Sequence, residues 1–91
     1  PEFKKQFLIQ LAWSGRLELN EVETLLSKYE LEVKEYISMY KEEQRREKHF
    51  KDRTNQEYFI WKMLYENMIM SYENELNWIE KVRKGLLNNF K

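Results

Sequence analysis

The sequence predicts an all-α protein: a short helix followed by two long antiparallel helices, paired with a second copy as a dimeric helical bundle or coiled-coil-like assembly. Three observations predict it. Two glycines and one proline are all that punctuate 91 residues, so helix breakers are nearly missing. Large apolar side chains recur at steps of three and four over two long stretches, the period of a helix face. Charged residues, 35% of the chain, fill the positions between them, as on the solvated side of a helix.

The first helix is read over Phe3 to Trp13, where Phe3, Phe7, Leu8, Leu11 and Ala12 share a face. Ser14-Gly15-Arg16 stops it, with Gly15 placed for a left-handed cap. Asn20 and Glu23 have the spacing of a capping box, which starts the second helix at Glu21. Val22, Leu26, Tyr29, Val33, Tyr36 and Tyr40 then form one stripe. From Lys41 to Arg53 the chain is almost wholly charged, with only His49 and Phe50 offering contact, so this end projects into solvent or turns. Thr54 and Glu57 repeat the capping-box spacing and open the third helix.

On the third helix Tyr58, Trp61, Tyr65, Met68, Tyr72, Ile79, Val82 and Leu86 follow one another by three, four or seven, with Glu75 the one seam position that is not apolar. Glu75 is expected either to reach a cation across an interface or to be turned outward. Ile60, Leu64 and Leu76 widen the apolar face beyond a narrow seam, so this helix covers more than one neighbour. Gly85 is expected to end or loosen it before Leu86, Leu87 and Phe90. Two helices of about 28 residues extend roughly 40 Å each, too long for a compact ball of this chain length. One short helix cannot cover both, so a second chain is expected to do so.

Composition excludes several functions. Sixteen Lys and Arg balance sixteen Asp and Glu, whereas a domain binding nucleic acid by itself carries a basic surplus. Without cysteine there is no disulfide framework or thiolate metal site. The longest apolar run, Tyr58 to Trp61, closes at Lys62 and is far too short to cross a bilayer, so no membrane role is expected. His49, the single histidine, has no second histidine or cysteine with which to bind a metal or activate a nucleophile. The basic residues Lys41, Arg45, Arg46, Lys48, Lys51 and Arg53 are interleaved with Glu42, Glu43, Glu47 and Asp52, which reads as a solvated helix end rather than a phosphate-binding patch. No catalytic residue, metal or cofactor is expected. Pro1-Glu2-Phe3 reads as a cloning remnant, Glu-Phe being the translation of an EcoRI site, and the domain is drawn as residues 4–91.

Tyrosine and tryptophan dominate where ordinary cores prefer Leu, Ile and Val, and such rings favour interfaces. The candidate dimer interface is Phe7, Leu8, Leu11, Trp61, Tyr65, Met68, Tyr72, Trp78, Ile79 and Val82, and the candidate contacts for a flat aromatic ligand are Trp61 and Tyr65.

The sharpest motif is Tyr72-Glu73-x-Glu75-Leu76-x-Trp78-Ile79-Glu80. It follows a Phe-Leu-x-x-Leu helix in Phe7 to Leu11, a Gly-containing turn, a long charged helix and a polar break. From about Lys4 to Leu87 this order resembles the C-terminal domain of PadR-type transcription regulators, also called the virulence-activator alpha C-terminal domain. Where that pattern has a small residue four positions before the tyrosine, this chain has Met68. The resemblance implies a homodimerisation domain of a cytoplasmic bacterial regulator. DNA would be read by an N-terminal winged helix-turn-helix that this sequence does not include, with small aromatic effectors sensed by some relatives. The alternative is a freestanding helical adaptor that binds another protein's helix.

Overall fold

The computed structural model describes residues 2–47 and 52–90. They form three helices, α1 (Glu2–Ala12), α2 (Leu19–Glu47) and α3 (Asn55–Asn89), and no strand. Contacts between Tyr29 and Glu75, Glu23 and Arg83, and Tyr40 and Tyr72 show that α2 and α3 run antiparallel along their length. The hairpin makes an elongated body of 56 × 22 × 16 Å, with α1 laid against α2 at the end far from the α2–α3 connection.

The helix ends correct part of the sequence reading. No described residue has a positive φ, so Gly15 is not a left-handed cap. Instead the buried Ser14 donates both its hydroxyl (2.8 Å) and its backbone N–H (3.1 Å) to the Leu11 carbonyl, satisfying the orphan acceptor of α1 directly. The second helix begins at Leu19, two residues before the expected Glu21. The backbone N–H groups of Glu21 and Val22 donate to the Glu18 carbonyl, and the Glu21 carboxylate accepts from the Glu18 N–H at 3.3 Å. Asn20 thus lies inside the first turn, and Glu23 bonds Ser27 and Arg83 rather than an N-terminal amide. The capping box of Thr54 and Glu57 forms as expected, its two hydrogen bonds measuring 3.1 and 3.2 Å.

Helix α2 continues through the charged stretch to Glu47 with Arg45 and Arg46 exposed, while His49 and Phe50 lie outside the described residues. One further expectation fails, since packing beyond a weak position holds the helix through it. Helix α3 runs straight through Gly85 to Asn89, because Leu86 just beyond the glycine packs on the core and offsets the roughly 1 kcal/mol a helical glycine costs.

The core consists of Phe7 from α1, Val22, Leu26, Tyr29, Val33 and Ile37 from α2, and Ile69, Tyr72 and Ile79 from α3. Each fully buried aliphatic chain, such as Leu26 or Ile79, contributes about 2 kcal/mol by leaving water. Rings do much of the remaining packing. Phe7 lies flat on Tyr29 with centroids 4.0 Å apart, and Trp78 meets Phe7 edge-on at 6.3 Å. Phe3 stacks on Tyr36 at 4.7 Å, so the residue set aside with a cloning remnant is a packing residue of this fold.

Candidate functional site

The expected interface residues divide into three groups. Phe7, Tyr65, Tyr72 and Ile79 are buried within the chain itself, packed between its own helices rather than presented to a second copy. Leu11, Met68, Trp78 and Val82 are half-buried, and all of these but Met68 pack on the core cluster. Leu8 and Trp61 are exposed. The reason is geometric: an apolar stripe on α3 faces α2 first, and the hairpin closes on it before any partner can.

What remains outside takes in Ile60 and Leu64, read above as widening the apolar face, together with residues that reading did not name. On a helical projection Ile60, Met63, Leu64, Asn67, Met70, Ser71 and Asn74 share the side of α3 turned away from α2. Ile60, Leu64 and Met70 are exposed, as is Phe59 at the edge of the strip. No charged residue interrupts it, since Lys62, Glu66 and Glu73 all lie along one flank. The signal was present in the sequence as an absence of charge over a surface that should be solvated. A second exposed apolar patch is formed on α1 by Leu8, Ile9 and Trp13, the last with 84% of its surface accessible.

Polar side chains lock the hairpin register. Glu75, left open between two outcomes above, is mostly buried and paired within the chain: it accepts from the Tyr29 hydroxyl at 2.7 Å and meets the Lys4 ammonium at 3.4 Å. Burial first, and then the Glu75 carboxylate, push the Tyr29 phenol well above its ordinary pKa, so it stays protonated as the donor. About two turns further on, Arg83 donates to Glu23 at 2.9 Å, to Glu30 at 3.3 Å and to Glu80. Its hydrogen bond holds the Glu23 carboxyl below the usual range. Of the basic cluster near the connection, Arg45 and Arg46 both pair with Glu42, and Arg53 pairs with Glu47. Lys48 and Lys51 lie outside the described residues.

At that end α2 and α3 border a cleft of about 250 Å³ lined by Gln44, Glu47, Tyr58, Trp61, Lys62 and Tyr65. Both expected ligand contacts, Trp61 and Tyr65, are on its wall, with ring centroids 6.1 Å apart. The Arg53 guanidinium sits over the Trp61 ring at 5.0 Å. Burial and the nearby Glu43 raise the Tyr65 phenol above its ordinary pKa. A larger cleft of about 510 Å³ at the opposite end, bordered by Leu11, Val22, Val82 and Leu86, offers less for recognition, because the Ser14 hydroxyl on its wall is already engaged on Leu11. Among the described residues no acidic or histidine cluster is arranged to hold a metal ion, and no helix is long and apolar enough to cross a membrane.

A family model described as virulence activator alpha C-term matches residues 3–86, nearly the whole chain. The chain belongs to that family. Comparison with curated proteins and with solved structures gives no match. In this virulence activator alpha C-terminal domain the matched span takes in Phe3 as well as the motif Tyr72 to Glu80, and it ends at Leu86, the last core-packing residue of α3. The features of the domain that remain unspent in packing are therefore the uncharged strip of α3, the apolar outer face of α1 and the ring-lined cleft at the hairpin tip.

Proposed function

We propose that this virulence activator alpha C-terminal domain is the homodimerisation element of a PadR-type bacterial transcription regulator, with DNA read by a winged-helix part of the whole protein. The observation that carries the reading is the unspent apolar surface. A compact chain of 11.4 kDa exposes about 5,800 Å² by the surface–mass relation, whereas this one exposes 7254 Å². The excess of about 1,500 Å² goes with the elongated 56 × 22 × 16 Å shape, and within that surface Ile60, Leu64 and Met70 remain exposed. The strip from Ile60 to Asn74 favours a second copy as the occupant, because an uncharged surface meets its own image without like-charge repulsion. The interface is thereby moved from the buried seam of Tyr65, Tyr72 and Ile79 to the exposed back of α3, with Leu8, Ile9 and Trp13 as its second element.

The zero net charge supports a domain that spaces DNA-reading heads rather than one that contacts phosphates itself. Trp61 and Tyr65 are the proposed contacts of a small aromatic effector. Sedimentation velocity tests the assembly: the chain is expected to be a dimer at low micromolar concentration, and Ile60→Asp with Leu64→Asp is expected to give a helical monomer. A wild-type chain that stays monomeric under these conditions removes the reading.

A further inference from the structure

We propose that the hairpin tip is a cation-accepting aromatic cage, a site for a small organic cation of the aryl-ammonium or amidine type, whose place is taken in this structure by the chain's own Arg53. The inference rests on the reading that this tip holds a small ligand and names the chemical class.

Three observations carry it. Tyr58 and Trp61 line the cleft outside the core cluster and keep surface in solvent, while Tyr65, buried between the helices, forms its inner wall. Trp61 already carries a planar cation on its face, the Arg53 guanidinium at 5.0 Å, within the range in which the ring quadrupole attracts positive charge. The Glu47 carboxylate pairs with that same guanidinium and also lines the cleft, so an aromatic face and an anion converge on one position.

Size narrows the ligand. The cleft of about 250 Å³ lies beside Arg53, just under the usual range of small-molecule sites, so a ligand whose cationic head replaces the guanidinium has room there for one ring. Tyr58 and Gln44 offer the rim a few hydrogen-bonding groups, the Tyr65 hydroxyl being engaged on Glu43. An anionic ligand is disfavoured at the floor by Glu47 and by the neighbouring Glu43. Lys62 is exposed on a long flexible stem and can turn its ammonium to water. Arg53 lies just before the Thr54 cap, outside the body of α3, so replacing its side chain leaves the capping box of that helix in place. An entering cation thus exchanges with Arg53 on Trp61 and Glu47, and no covalent step is involved.

The test is a titration of the intact chain, followed by the ring-proton resonances of Tyr58, Trp61 and Tyr65. The probes are phenyltrimethylammonium and benzamidine, with benzyl alcohol and benzoate as neutral and anionic controls of similar size. The cations are expected to shift all three rings and to bind at least about fivefold more tightly than either control. Arg53→Gln, which removes the internal competitor, is expected to tighten cation binding several-fold, and adding Glu47→Gln in that background to reverse the gain. Trp61→Leu is expected to abolish the shifts at Tyr58 and Tyr65. Equal binding of benzoate or benzyl alcohol at these rings overturns the cationic class while leaving a ligand site. Weaker cation binding in Arg53→Gln overturns the exchange. Silence of all three rings to every probe at about 10 mM overturns the site itself.

Discussion

At the end of the hairpin covered by α1, Leu26, Tyr29 and Ile79 are buried from every side, whereas at the opposite tip Trp61, Ile60 and Leu64 keep much of their surface in solvent. The same two helices run through both regions. Near α1 three helices share one core, and Phe7 supplies the ring that closes over Tyr29. At the tip there are two helices, and a helix that is apolar on most of its circumference cannot be buried by one neighbour. The comparison separates residues that maintain the fold from residues left in solvent, although both sets are drawn from the same types of side chain.

The sharpest way to break this contrast is to place a charge in each region. Ile79→Asp is expected to abolish cooperative unfolding altogether, because a carboxylate enclosed without a cation costs several kcal/mol, a large part of a small domain's stability. A circular dichroism melt checks it. Ile60→Asp with Leu64→Asp, at the tip, is expected to keep the helical spectrum and lose the dimer. If both sets of variants unfold, the tip belongs to the fold after all.

A second probe uses acid. Because Arg83 holds the Glu23 carboxyl below its unfolded value of 4.5, the stabilisation from this pair is present above that value and is lost as the pH falls through the lower folded one. The melting temperature is expected to fall as the pH drops from about 5 toward 3, and to fall less steeply in Arg83→Met. Equal slopes in the two proteins would show that the cluster joining α2 to α3 contributes no stability. Glu42, held down to about 2 by its hydrogen bond from Arg45, is fully exposed and is common to both proteins, so it cancels from the difference.

Smaller effects sharpen the comparison. Thr54→Ala removes one half of the capping box and is expected to cost about 1 kcal/mol, seen as faster hydrogen exchange in the first turn of α3 with little change near α1. Gly85→Ala is expected to stabilise the fold by about 0.5–1 kcal/mol, since a Cβ there meets nothing within 4 Å and the helix already runs through. A chemical denaturation curve with an unchanged slope would register the gain.

Much of this architecture was legible in the sequence. The all-α class, the Thr54–Glu57 cap and the stripe Val22, Leu26, Tyr29 and Val33 each follow from spacing that is local to one helix. Other features were not legible. Glu18 with Glu21 and Asn20 with Glu23 have equivalent capping distances, and the choice between them was made by the earlier start at Leu19, which lies half-buried. Gly85 reads as a stop until Leu86 is seen to pack on the core.

By itself the sequence determined helix identity, family membership over residues 3–86 and the neutral charge that argues against direct DNA binding, because these depend on composition and on repeats of three and four. Only the tertiary structure decided which side of α3 was consumed. The periodic pattern admits Trp61 and Met68 as well as Ile69, yet the helix packs with Tyr65, Ile69, Tyr72 and Ile79 inward and leaves Trp61 at the cleft and Ile60, Leu64 and Met70 outside. A stripe spans a broad arc of a helix, and the rotation that buries one edge of it is set by the partner's side chains. Glu75 shows the same dependence: its neighbours in sequence mark it as an anomaly, and Tyr29 and Lys4, far away in the chain, make it a lock.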